Sequence, residues 1–305
     1  MAFNDVVDLV EHAVSRGVNL FDTGSYNSGL HDEVLDADIV LGKALRESSL
    51  HREDYLLAQK LWTWNIHREP LIDSFTADIK RVGLERADVL VFGHYKQTFE
   101  DDFGLTVEKA VREAAEIIEA GLADTWGACD WPVDVMRRAW RIATDGGLPR
   151  PQFEHLKYSL ARRVIAEGEP FEALFAESGI ALQPSFVFEG GLLAGSMSSR
   201  PTHLAIPWPM PRTVTETHIV PGIHDYQPRL SEVADRFGLA VAQFSLTFTL
   251  TNPHTTNVLI GSTGRDQLDQ NIEAVRFAEE HGDAIRVAAE EFCMDVGLVN
   301  PHSEP

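Results

Sequence analysis

Four residues in the chain have side chains that together can deliver a proton to a carbonyl oxygen: Asp22, Tyr26, Lys60 and His94. A carbonyl reduction needs a proton donor beside the forming alkoxide. A tyrosine whose pKa is lowered by a neighbouring lysine ammonium can donate, and an aspartate can hold that lysine charged. A histidine can hydrogen-bond the substrate oxygen. Singly, each has a plain structural explanation; Asp22 alone could cap the turn that follows it. Their placement is what favours a site. Asp22 follows the apolar run Val18–Phe21, Lys60 follows Tyr55–Gln59, and His94 follows Asp88–Phe92 and Gly93. Cys129-Asp130 closes a fourth run, 124–128.

Those runs read as buried strands, and amphipathic helices alternate with them. A helix is expected over 4–16, with Asn4 as its N-cap, then near 34–46, 71–81, 106–120, 132–144 and 169–178. Further strands are expected over 152–156, 180–183 and 257–260. A segment rich in Gly, Pro and Ser spans about 185–225 and reads as a long functional loop. Helices near 228–237, 240–251, 265–280 and 283–294 complete the pattern. Alternating strands and helices imply a parallel sheet with right-handed crossovers. The expected fold is α/β, a (β/α)8 TIM-type barrel one strand short, in which strand ends converge on one face. The chain opens on a helix, so the first strand is the one without a counterpart. Truncation, a strand supplied by another segment or subunit, or an open barrel would each account for it. A doubly wound sheet is disfavoured because no Gly-x-Gly-x-x-Gly follows any strand. Residues 1–305 are expected to form a single barrel domain, with loop 185–225 over the C-terminal face of the sheet.

Composition narrows the function. The chain has 305 residues, 44% of them apolar, and a formal net charge of −21. That charge opposes binding to nucleic acid or anionic lipid, and no apolar run is long enough to span a membrane. The acidic, amphipathic N-terminus does not read as a signal peptide. Two widely spaced cysteines, Cys129 and Cys293, argue against a disulfide framework or a cysteine-based metal site and fit a reducing cytoplasm. No metal is expected.

Several segments resemble the aldo-keto reductases, and within them the branch that includes potassium-channel β-subunits. They are Gly17–Thr23, Leu41–Leu45, Lys60, Val82–Val89, His94, Gly121–Gly127, Gly191–Gly195, Val258–Ser262 and Gln267–Ile272. The resemblance runs nearly the whole length. It implies a (β/α)8 barrel, NADPH or NADH, and reversible reduction of an aldehyde or ketone. It assigns catalysis to Asp22, Tyr26, Lys60 and His94. On the cofactor side it points to Cys129, Asp130, His155, Gly191, Leu192, Ser262, Arg265, Gln267 and Asn271, with Arg265 favouring the 2′-phosphate of NADPH.

The sequence also departs from the family pattern. Tyr26 lies four residues after Asp22 where the family has five, and Tyr95 is an alternative phenol. Cys129-Asp130 stands for a usual Ser-Asn, and His155 for a glutamine. Phe186-Val187-Phe188 replaces a Ser-Pro-Leu whose amides hold the pyrophosphate, and Glu189 follows, where a carboxylate would repel it. Ser196 stands where a basic residue is often found. These departures keep two further readings open: a non-redox acid–base enzyme (lyase, dehydratase or isomerase) without a cofactor, and a catalytically silent regulatory barrel. The expected ligand is a small carbonyl or alcohol, in a pocket lined by Trp62, Trp64, Trp131 and loop residues such as Trp208. Self-association into a homo-oligomer is compatible with the sequence.

Overall fold

The structure, a computed structural model, describes residues 2–25, 37–62, 70–93, 107–194 and 214–295. They form two compact units, residues 1–154 with 263–265, and residues 155–262 with 266–305.

The first unit begins with α1 (Phe3–Ser15). Ala2, not Asn4, holds the N-cap position, and its N–H donates to the Asp5 carboxylate at 2.8 Å. Asp5 can therefore satisfy the helix start from inside the first turn. There follow β1 (Leu20–Gly24), α2 (Ala37–Glu47), β2 (Leu56–Trp62), α3 (Leu71–Val82), β3 (Val89–Gly93), α4 (Val107–Glu119), β4 (Thr125–Cys129) and α5 (Val133–Asp145). The strands β1 to β4 pair in parallel, each with the next. Their near-continuous apolar character suits strands covered on both faces. Leu57, Leu90 and Trp126 on the strands are fully buried, as are Phe75 and Ile79 of α3 and Val111 and Ile117 of α4. The helix pair α2–α3 is tight: a Cβ on Gly42 would lie 1.9 Å from the carbonyl oxygen of Val82.

The unit boundary falls inside β5 (Phe153–Lys157). The second unit continues with α6 (Glu169–Ser178), β6 (Ala181–Ser185), α7 (Val214–Arg236), α8 (Val241–Leu250) and α9 (Arg265–Ala288). The six strands lie in one sheet in the order β1-β2-β3-β4-β5-β6. Strand order and alternation are those of an incomplete (β/α)8 barrel.

Three further expectations change. Residues 257–260 do not form a strand, although their segment runs beside β6. Leu182 bridges Thr255, and the Leu182 N–H donates to the His254 carbonyl at 2.8 Å. Pro184 then has no N–H to give, so the ladder cannot continue regularly; its carbonyl accepts from Leu259 at 2.9 Å. The expected loop 185–225 is helical from Val214 onward, despite Pro221 and Gly222. Burial of Ile223, Leu230 and Ala234 overrides the local breakers, and Gly222 lets Met294 approach, with Sδ 3.1 Å from where a Cβ would be. Finally, the helices expected over 265–280 and 283–294 are not separated at Gly282. That glycine sits within α9, where a Cβ would come 3.2 Å from Thr251 Cγ2. Of the rest of the 185–225 segment, residues 186–194 form turns with a kink at Gly190 and Gly191, and 195–213 lie outside the described residues.

Candidate active site

The parallel register decides which side chains share a face of the sheet. Asp22 is level with Ala58, Gly24 with Lys60, Trp62 with Gly93, and Gly93 with Cys129. With a side-chain period of two, Asp22, Gly24, Lys60, Trp62, Gly93 and Cys129 all project from one face, at the C-terminal ends of β1 to β4. The Lys60 ammonium donates to Asp22 Oδ2, and both side chains are largely buried. Asp22 Oδ1 is also buried and accepts no hydrogen bond from any described residue. The structure therefore brings Asp22 and Lys60 together. Tyr26, His94 and the alternative Tyr95 lie outside the described residues, as does Trp64.

Gly24 and Gly93 shape this face in a way that sequence reading missed. A Cβ on Gly93 would stand 2.3 Å from Trp62 Cε3, and one on Gly24 would stand 3.2 Å from Trp62 Nε1. The indole of Trp62 thus lies across the strand ends that carry the Asp22–Lys60 pair. Two strand-terminal glycines were the available signal.

Cys129 is buried, and its thiol is pushed well above its usual range by burial and by the Asp130 carboxylate, while Lys60 pulls it down. It is a neutral S–H at physiological pH, a weak donor where the resemblance expects a hydroxyl. Asp130 has a φ of 55°, an uncommon value for a residue with a Cβ and of a kind found at functional turns. The turn is held from behind. The Trp131 N–H donates to Glu154 Oε1 at 2.8 Å, and the Trp131 ring stacks on Phe92 with centroids 5.8 Å apart. Glu154 is wholly buried and its carboxyl is held well above the carboxylate range by that burial. It went unnoticed in the sequence, where only its charge was visible.

The remaining candidates belong to the second unit, Arg265 excepted. His155 is buried on β5. Gly191 and Leu192 follow the turn after β6, and the Leu192 carbonyl accepts from Gln227 Nε2 at 2.7 Å. Asn271 is buried on α9 and its Nδ2 donates to Ser262 Oγ at 3.3 Å, so those two are adjacent. Gln267 is half-buried one turn earlier. Arg265, exposed at the start of α9, lies 3.3 Å from the Asp8 carboxylate in the first unit. Among the described residues, and apart from each glycine's own chain neighbours, no heavy atom lies within 4 Å of a Cβ built at Gly191, Gly261 or Gly264. These backbones are open to a ligand, and the Asn271–Ser262 pair offers polar groups. Backbone N–H groups and a side-chain amide are groups of the kind that phosphate oxygens and an adenine ring can hydrogen-bond. Among the described residues no group of three His, Cys, Asp or Glu side chains is placed to hold a metal ion.

A sheet of this order, with an aspartate–lysine pair at adjacent strand ends, defines a barrel-class enzyme scaffold whose chemistry belongs at the C-terminal edge of its strands. The particular family follows from comparison. The model of the aldo/keto reductase family matches residues 1–289, and the chain belongs to that family of oxidoreductases. It is kin to the branch named for channel subunits. It is 25% identical over 293 residues to a putative voltage-gated potassium channel subunit beta of Schizosaccharomyces pombe, spanning 89% of this chain and 79% of that protein. It is 26% identical over 271 residues to a probable voltage-gated potassium channel subunit beta of Arabidopsis thaliana, spanning 85% and 78%. A third relative so described, from Oryza sativa subsp. japonica, is 24% identical over 278 residues. Among the described residues no helix is long and apolar enough to cross a membrane.

Proposed function

We propose that the protein is an NAD(P)H-dependent reductase of aldehydes or ketones, working reversibly on the corresponding alcohols, in the cytoplasm. The observation that carries this is the buried Lys60–Asp22 pair at the ends of β1 and β2, in a chain of the aldo/keto reductase family. The bound nicotinamide would supply the hydride. The chain's own residues would handle the proton. Asp22 keeps Lys60 charged, Lys60 lowers the pKa of the Tyr26 phenol, Tyr26 gives its proton to the substrate oxygen, and His94 hydrogen-bonds that oxygen. Cys129, Asp130 and His155 would face the nicotinamide. Gly191, Leu192, Ser262, Gln267 and Asn271 would hold the phosphates and adenosine, with Arg265 favouring NADPH.

The test is a titration of the purified protein with NADPH and with NADH, following cofactor fluorescence and the thermal midpoint together. A hundredfold excess over Kd should add about 2.7 kcal/mol of stability. A carbonyl panel follows, with Tyr26→Phe and Tyr95→Phe compared to find the acid. Binding of neither cofactor, with no turnover, would refute the proposal. The names of the relatives support a second reading, an accessory subunit. It predicts binding without turnover.

A further inference from the structure

Glu189 poses a problem for any anionic ligand of the segment after β6, and the structure shows how the chain answers it. Its carboxylate is almost wholly buried, as are Ser159 and Arg162. Glu189 Oε1 accepts from Ser159 Oγ at 2.7 Å and from Arg162 Nε at 3.1 Å, and Oε2 accepts from Arg162 Nη2 at 2.9 Å. The base of this clamp is rigid, because Ser159 and Arg162 exchange two backbone hydrogen bonds of 3.1 Å each in a tight turn after β5. Its other end is a turn that local preference would not choose. Phe186 has a φ of 58° and Glu189 of 47°, and Gly190 and Gly191 follow at 68° and 97°. The Glu189 N–H closes the turn onto the Phe186 carbonyl at 2.9 Å. The Arg162 guanidinium lies 6.0 Å from the Phe186 ring centroid, so it reaches both residues that carry the unfavourable φ. Residues with a Cβ keep such a backbone only where their surroundings over-determine it.

We propose that Arg162 is a positioning residue for nucleotide binding. Through Glu189 it fixes the turn at 186–191, and it cancels a carboxylate that would otherwise repel the diphosphate of a dinucleotide held there. This rests on the cofactor reading above. The clamp does two separable things, holding backbone and cancelling charge, and the variants separate them.

The experiment measures Kd for NADPH and for ADP-ribose across a salt series, with amide hydrogen exchange of residues 186–194, in four proteins: wild type, Arg162→Met, Glu189→Gln and the double variant. Arg162→Met leaves a carboxylate without its cation and should weaken ADP-ribose binding at least about tenfold, the size of one charge a few ångströms away in a protein-like medium. Its exchange at 186–194 should rise. Glu189→Gln keeps an acceptor for Ser159 and Arg162 and leaves a net positive charge. It should bind ADP-ribose more tightly than wild type, with a steeper salt dependence. The double variant should recover affinity relative to Arg162→Met without recovering exchange protection. A merely structural clamp predicts the reverse for Glu189→Gln, weaker or equal binding with an unchanged salt slope, and that result overturns the proposal. So does unchanged exchange at 186–194 in Arg162→Met; if that variant does not fold, Glu189→Gln decides alone. Failure of the wild type to bind either nucleotide would instead defeat the cofactor reading, and the proposal with it.

Discussion

Lys60 on β2 donates to Asp22 Oδ2 on β1, while Asp22 Oδ1, also buried, takes no hydrogen bond from any described residue. The pair is therefore satisfied on one side, in a place where an uncompensated ammonium could not be tolerated. Removing one partner of such a pair leaves a buried charge, at a cost of about 3–5 kcal/mol, whereas replacing both by apolar groups is often close to neutral.

Asp22→Leu should accordingly destabilise the protein by about 3–5 kcal/mol, and Asp22→Leu with Lys60→Met should recover most of that loss. Urea unfolding midpoints of the two single variants and the double variant measure it. Additive losses would show that the ion pair is not the stabilising unit. In carbonyl reduction, Asp22→Asn should lower turnover by about 10²-fold or more, the usual weight of a positioned proton donor.

Gly93→Ala tests the indole that lies over the strand ends. The new methyl would stand 2.3 Å from the present position of the Trp62 ring, so the ring must move. Overpacking of this kind costs about 1–3 kcal/mol. The expected result is a lowered thermal midpoint and altered near-ultraviolet circular dichroism, with Gly93→Ala in a Trp62→Ala background nearly silent. An unchanged spectrum in Gly93→Ala would show that Trp62 does not occupy this space.

The helix and strand pattern was legible because each element repeats one period. Val6, Val7, Val10, Ala13 and Val14 mark one face of α1, and the apolar runs mark the strands. Asp22 and Lys60 were legible because each closes such a run. What was hidden depends on neighbours far along the chain. Nothing local says that Glu189 meets Arg162, so it read as a charge hostile to a phosphate. The break expected between helices 265–280 and 283–294 is absent, because Gly282 lies inside α9 against the distant Thr251. Residues 257–260 read as a strand because the break comes from Pro184 on the neighbouring segment, and not from their own sequence.

Asp78 on α3 gives a pH signature. Burial, and then the buried Asp38 carboxylate, raise its pKa to about 7, while Arg81, bound to Asp38 at 2.6 Å, opposes the rise. A carboxyl with a raised folded-state pKa binds its proton more tightly in the folded protein. Its contribution therefore lowers stability as pH rises from about 4 to about 7, and is constant above. Asp78→Asn should gain least over the wild type near pH 4 and more at pH 8, the two gains differing by an amount on the order of 1–4 kcal/mol, because a tenfold difference in proton affinity between the folded and unfolded chain is worth about 1.36 kcal/mol. The measurement is the difference in unfolding free energy at the two pH values. An equal difference at both would mean that Asp78 does not titrate in this range.

Salt should stabilise the protein. There are 47 acidic and 26 basic side chains besides histidine, for a net charge of −21, so on average the folded surface repels itself. Raising NaCl from about 0.05 M to about 1 M shortens the screening length to about 3 Å and relieves that repulsion. The same salt weakens exposed pairs such as Arg112–Glu108, Arg229–Glu291 and Arg276–Glu280, but each of these contributes no more than about 1 kcal/mol. With acidic groups in such excess, the thermal midpoint should rise by several degrees across the series. Neutralising exposed carboxylates should do part of the same work, so a variant carrying Glu116→Gln, Glu119→Gln and Glu279→Gln should start higher at low salt and gain less from NaCl. A midpoint that stays flat or falls with salt, or an identical gain in the triple variant, would show that net charge does not limit the stability of this fold.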